Sequence, residues 1–417
     1  MNYSYFKNIS LDFFSILKTK LLHERILIVI WSLMPFFMMI SKSLVDIFIT
    51  LTAILFLINS TLKFSWAWLK ISWVKSALFF FCVAIVSSFF SLLIENSLVN
   101  GMAWIRFPLF AAAISFWLVK DKEVLIFAII ANLISIILIF IIMGAETVFS
   151  DNNDLHFEWP FGNPLNGPFV HRIGLIFFAF SFLVLFSETK YKVVASIFLL
   201  ISILFSLSTA HRLGNFSLVI IITILCFWPK FDFKKSLTVI ISFCIILTLF
   251  FSYNLDKLNR YFFEIYNFTN LSLLNYIGMW KTGIIVFVDN FLLGIGPTNV
   301  QNYLSENLIV NYDPQKFNEH PHNHYIQVFA ETGLIGGIVY CSMIYYLIKE
   351  IYLSTKKNLS SFEILLTQAA FISSICLFWP FANAHDLFGQ QQNAFLWYCI
   401  SIYLLIPKIK ELKINSS

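Results

Sequence analysis

The sequence predicts an all-α polytopic integral membrane protein of about twelve transmembrane helices, with a large, partly helical, outward-facing loop between helices 9 and 10. Three observations carry this. The 417 residues are 59% hydrophobic and only 12% charged, with a mean hydropathy of +0.80, a composition that excludes an ordinary soluble globular domain. Twelve apolar runs recur along the chain, at roughly 26–41, 44–60, 73–94, 102–119, 123–143, 172–187, 192–208, 213–229, 236–252, 324–348, 362–380 and 391–407. Finally, 20 of the 28 Lys and Arg fall in the N-terminal segment, the even-numbered loops and the C-terminal segment, whereas 14 of the 23 acids lie on the other side. Basic residues are retained in the cytoplasm, so both termini are expected there and the odd-numbered loops outside.

Taken in order, the first 24 residues are too polar for a signal sequence, and the run after Arg25 lacks a small-residue cleavage site, so it is expected to stay as the first helix. Some runs are short for a 30 Å hydrocarbon core, the eighth above all, which suits tilted helices beside a thinned or water-filled region. Two outward loops are long, at about 144–171 and 253–323. The chain therefore divides into an N-terminal bundle of about nine helices (1–252), a large loop (253–323) and the C-terminal helices (324–417). Within the large loop, WKTGIIVFVDNFLL (280–293) is apolar but interrupted by Lys281, Asp289 and Asn290. It reads as an amphipathic helix lying on the bilayer or on the bundle. All six cysteines lie in apolar runs, so core packing is expected and no disulfide framework is implied. No internal repeat is evident.

The chemistry concentrates on the outward side. Seven of the eight histidines fall there, as do Arg106, Arg172 and Arg212, each close to the predicted start of an even-numbered helix. Helix N-termini carry partial positive charge, so cations gathered at several of them make sense if an anion sits between, phosphate or pyrophosphate above all. Arg172 and Arg212 also read as anchors snorkelling to lipid headgroups. Arg106, deeper in WIRFP, calls for a partner such as Asp46 or for a ligand, and Arg260 in the large loop is by default a solvated charge.

The stretch HPHNHYIQVFAETGLIGG (320–337) leads a titratable cluster into a spanning helix. Asn323 is the expected N-cap of a helix running to Ile348, and Gly333, Gly336 and Gly337 would admit a close neighbour. His320, His322 and His324 alternate and would share a face of an extended segment, as zinc ligands do. However, Pro321 interrupts the segment and no Cys or further His has ligand spacing. A histidine among anion-binding arginines suits a general base better, which singles out His322, with His385 and Asp386 as candidates to orient it.

This stretch resembles the signature of the O-antigen ligase and polymerase superfamily: His, a small polar residue, nine residues, then Gly, here His322, Asn323 and Gly333. WKTGIIVFVDNFLLGIGPTN (280–299) is similar to that family's Trp-containing segment ending in a Gly-hydrophobic-Gly turn, and STAHRLGNFSLVI, from Ser208, to its Ser-x-x-x-Arg stretch, which places the arginine on Arg212. WIRFPLF around Arg106 is similar too. In one position the chain departs from the pattern: Tyr276 stands where members often have an arginine, and Arg260 is the candidate replacement.

The resemblance implies glycan transfer at the periplasmic face of the bacterial inner membrane. The donor would be a glycan on undecaprenyl pyrophosphate and the acceptor a sugar hydroxyl, on lipid A–core for a ligase or on a second lipid-linked glycan for a polymerase. His322 would be the base and Arg212 a pyrophosphate ligand, with Arg260, Arg172, Arg106, Asn323, His324 and Asp386 lining the substrate site. The reaction would invert the anomeric carbon without metal or cofactor; besides these glycans the partners are membrane lipids, and no nucleic acid. The ETGLIGG helix start and the single large late loop favour a ligase. A secondary transporter of a small anion would also explain intramembrane arginines, but it predicts broken helices and a repeat between halves, neither of which is clear in the sequence. A metal-dependent transferase would need an acidic first outer loop, and ISKSLV is short and has Asp46 alone beside it.

Overall fold

The computed structural model describes residues 3–149, 157–161, 166–187, 190–209, 212–227, 233–253, 272–306, 320–354, 361–380 and 386–408. Among these the secondary structure is helical, and a helix or a bent helix pair covers each of the twelve apolar runs. They are α2 (Leu22–Ser32) with α3 (Met34–Ile40), α4 (Lys42–Leu62), α5 (Ser72–Ser88), α6 (Ile94–Trp104) with α7 (Arg106–Ala113), α8 (Lys122–Phe149), α9 (Asn166–Ile173) with α10 (Leu175–Leu185), α11 (Lys192–Ser208), α12 (Arg212–Cys226), α13 (Phe233–Tyr253), α16 (His324–Ser354), α17 (Ser361–Leu377) and α18 (Gln390–Leu405). Outside the runs are α1 (Tyr3–Thr19), α14 (Ser272–Asp289) and α15 (Val300–Glu306).

Four helical stretches are long and apolar enough to cross a bilayer, Lys42–Leu62, Ile94–Leu118, Lys122–Phe149 and His324–Leu353, and counting each bent pair as one span raises the number to six. The architecture is that of a helical membrane protein. Most of the remaining apolar helices are 10–17 residues long, short of the ~20 residues that a perpendicular crossing needs.

Broken helices, not evident in the sequence, are a main feature. α2 and α3 meet at 70°, where Pro35 in the first turn of α3 removes an N–H from the helical ladder. α9 and α10 meet at 50° about Gly174. α16 is interrupted at Gly333 (φ 66°, ψ −167°), so the helix expected to run unbroken from its cap is two helices in series. The fourth span begins at Ile94 rather than 102, which puts Arg106 inside a 25-residue helical stretch and not at its start. Likewise α8 runs on to Phe149 and α9 starts at Asn166, so both take residues from the predicted 144–171 loop.

α18 is the axis of the bundle. Every residue from Asn393 to Leu405 is buried, as befits a helix surrounded on all sides. Trp397 packs between Trp73 and Trp104 at ring-centroid distances of 6.4 and 6.0 Å. α1 lies against α8, with Phe13 stacked on Phe127 at 4.0 Å.

The segments expected on the cytoplasmic side converge on ion pairs: Lys20–Asp121 (2.8 Å), Lys122–Glu363 (3.1 Å) and Lys408–Glu350 (3.7 Å), beside a Trp117 Nε1–H donated to Glu24 (2.9 Å). Of the expected large loop, 254–271 and 307–319 lie outside the described residues. Its middle is α14, which starts earlier than the predicted 280–293 helix, ends at Asp289 and packs on α16, one of the two placements expected for it.

Candidate active site

The His322 stretch is built by the start of α16. Asn323 Oδ1 accepts from the N–H groups of Tyr325 (3.0 Å) and Ile326 (3.2 Å), which is the expected N-cap, and its Nδ2 donates to the Pro380 carbonyl (2.9 Å). Tyr325 Oη donates to the Phe378 carbonyl (2.6 Å), so the segment after α17 is sewn to the first turn of α16. His322 just precedes the cap, half-buried, with φ 50°. A left-handed φ on a non-glycine residue is uncommon and is held only by its surroundings. One such restraint is Gly283 on α14, where an added Cβ would meet Ile326 and Pro321 at 2.5 and 3.1 Å. The rings of His320 and His322 lie 4.3 Å apart while His324 is buried, and the three do not gather as a group able to hold a metal ion.

The second half of the signature interlocks with the Trp-containing segment. At the Gly333 break, Leu334 N–H donates to the Phe291 carbonyl (2.8 Å) and Ile335 N–H to that of Leu292 (3.4 Å). In return the carbonyls of Ala330 and Glu331 accept from Ile295 N–H (3.2 Å) and Gly296 N–H (2.8 Å). The orphan groups of a broken helix are thereby satisfied by a loop, as an apolar environment requires. Only glycine fits at the joint: a Cβ on Gly333 would collide with the Leu292 carbonyl, and one on Gly294 (φ 69°) with the backbone at Glu331–Thr332. The close neighbour at Gly333 is thus a loop and not a helix, while Gly336 faces Val83 of α5 and Gly337 receives the ring of Phe329 on its own helix. Ser87 completes the joint, bonding Leu293, Glu331 and Gly296 backbone groups.

Asp386 is held within this scaffold. Gln327 Nε2 donates to Asp386 Oδ1 (2.6 Å) and Glu331 Oε2 (3.2 Å), and Gln327 Oε1 accepts from Leu387 N–H (2.8 Å). Gln327 and Glu331 are wholly buried. Both escaped the sequence reading, although two polar residues four apart inside an apolar run were a legible signal. His385, the other candidate to orient His322, lies outside the described residues, as does Arg260.

The arginines divide. Arg106 Nη2 donates to Asp46 Oδ1 at 2.6 Å, the partner named from the sequence. Arg172 is only 6% exposed, so it is no snorkelling anchor, and its Nη1 has no hydrogen-bond partner among the described residues. Arg212 opens α12. Three residues on, Asn215 Oδ1 accepts from Ser206 Oγ (2.6 Å), and Ser206 in turn lies 3.1 Å from His171 Nε2, next to Arg172. With the hydroxyl proton given to Asn215, the imidazole Nε2 carries the proton and donates to Ser206. This chain fixes the start of α12 against α9. The same turn region reaches the end of α17, where Cys376 Sγ lies 3.9 Å from the Ser217 carbonyl, and α17 leads into the Phe378–Pro380 segment that holds Asn323. A chain of contacts thus runs from the Arg172 and Arg212 segments to the end of α17 and on to the cap beside His322.

Comparison with known sequences agrees with the motifs. Residues 175–341 match the family described as O-antigen ligase, a stretch that contains Arg212, the Trp-containing segment, His322 and Gly333. This supports the superfamily to which the resemblance pointed, whose members are membrane glycosyltransferase-like enzymes acting on lipid-linked glycans. No curated protein matches the chain.

Proposed function

We propose that this chain is an O-antigen ligase-type glycosyltransferase that moves a glycan from undecaprenyl pyrophosphate to a sugar hydroxyl of lipid A–core. It would work at the periplasmic face of the inner membrane, as about twelve spans with both termini cytoplasmic and the 1–252, 253–323 and 324–417 division of the sequence. The observation that carries the reading is the buried Arg172 guanidinium with an unpartnered Nη1, in a segment packed against the start of the Arg212 helix and inside the same end of the bundle as His322. A buried cation that no described residue neutralises calls for an anion, and a pyrophosphate matches the guanidinium fork.

In this mechanism His322 takes the proton of the acceptor hydroxyl as its oxygen attacks the anomeric carbon. The carbon–oxygen bond to pyrophosphate breaks on the opposite face, giving inversion. Arg212 and Arg172 neutralise the leaving pyrophosphate, a task that fixed cations in a water-poor site perform well. Asn323 and Asp386 act through position, since their oxygens hold backbone N–H groups and Gln327. Arg106 stays with Asp46, and no metal is called for.

The test is a lipopolysaccharide gel of a deletion strain rescued by wild type or by His322→Ala at matched membrane levels. Loss of the long-chain ladder with lipid-linked polymer accumulating supports a ligase. A single repeat unit on the core means a polymerase, which shares these motifs. Rescue by His322→Ala would falsify the mechanism. A second reading, secondary transport of a small anion, is favoured by the bent pairs at 70° and 50° and the break at Gly333; an unchanged ladder in the deletion strain with lost anion uptake would select it.

A further inference from the structure

A cavity lies apart from the His322 segment. The first turns of α4 and α18, with Met38 of α3, line an open pocket of about 110 Å³, several times the ~10–15 Å³ that one water needs. Lys42, Asp46, Gln390 and Gln391 supply its polar lining, with Ala394 and Phe395 among the apolar residues. Arg106 neutralises Asp46, which leaves Lys42 as the uncompensated charge, with no ion pair engaging it among the described residues. Two helix N-termini add to that positive potential, and the one at Gln390 has no side-chain cap, so its first N–H groups have no side-chain acceptor. Carboxylate and amide groups beside them suit hydroxyls. Leading away from the cavity along α4, Leu44, Ile47, Leu51 and Ile54 form an exposed apolar stripe at helical spacing, each about half exposed.

We propose that this cavity is a headgroup site for a hydroxyl-bearing phosphodiester lipid. Lys42 and the two helix starts take the phosphate, Asp46 and the glutamine amides take the polyol hydroxyls, and the acyl chains lie on the α4 stripe. The site is independent of glycan transfer, because Lys42, Gln390 and Gln391 have no part in that mechanism.

The experiment is native mass spectrometry of the full chain, delipidated in detergent and titrated with phosphatidylglycerol, phosphatidylcholine or sn-glycerol 3-phosphate. Phosphatidylglycerol should be retained over phosphatidylcholine. Lys42→Gln, at an exposed position that leaves the fold intact, should reduce that retention about five-fold, the factor that one lysine near an anionic lipid headgroup carries. Ala394→Phe, which fills the cavity, should reduce it at least as far. Unchanged retention in Lys42→Gln overturns the site, and binding of free glycerol phosphate as tight as that of the lipid overturns the assignment to a lipid.

Discussion

The two ends of the bundle handle charge in opposite ways. At the end where Lys20, Lys122 and Lys408 lie, each of these cations meets a carboxylate, Asp121, Glu363 and Glu350 respectively. Charges that neutralise one another in this way fasten loops and helix ends together. At the other end Arg106 has Asp46, but Arg172 is buried with no carboxylate paired to it among the described residues, and two further cationic positions, Arg212 and Lys42, stand at helix starts. Placing cations at helix N-termini works against the helix dipole and destabilises the empty protein. The difference separates an end where these ion pairs fasten the bundle from the end where the proposed function places an anion.

That contrast can be broken by experiment. The largest effect is expected at His322: alanine should lower glycan transfer by on the order of 10²–10⁴, the usual share of a general base, with the melting temperature unchanged. Equal activity at equal membrane abundance sinks the mechanism. Next, Arg172→Gln should lower transfer by about 10²–10³ if its guanidinium meets the leaving oxyanion. Its melting temperature should hold or rise, because a buried charge without a partner is removed. A fall in stability with activity retained would show Arg172 to be structural. Arg172→Lys should sit between, since a point charge lacks the planar fork.

At the joint, Gly333→Ala should destabilise by about 2–4 kcal/mol through a strained φ and a clash with the Leu292 carbonyl. Thermal denaturation of the purified protein reads this, and a midpoint within a degree of wild type would mean the break is not held as described. The smallest effect belongs to the opposite end: Lys408→Met should cost about 1 kcal/mol or less, because both side chains of its pair with Glu350 are partly solvent-exposed, and should leave transfer intact. A loss of activity there would erase the distinction between the ends.

Two pieces of the site were legible from local chemistry alone. Asn323 was readable as an N-cap because capping involves residues two and three positions away, and Arg106–Asp46 because a lone deep arginine must find an acid. Gly333 was not. Its signature spacing marked the glycine, but the break exists because a loop forty residues earlier donates and accepts the missing backbone bonds. The same holds for Arg172, whose sequence context fits an interfacial anchor as well as a buried ligand.

By itself, the sequence determined what depends on composition and short-range pattern: a helical membrane protein, where its apolar stretches fall, and the motifs that resemble the O-antigen ligase superfamily. Hydropathy and basic-residue bias act on each segment separately, so no tertiary information is needed to read them. The tertiary structure alone decided which helices break, that α18 is the axis, which arginine is neutralised and which has no ion-pair partner among the described residues. Those outcomes depend on partners distant in the chain, where a buried hydrogen bond or charge is satisfied only by whatever the packing brings beside it.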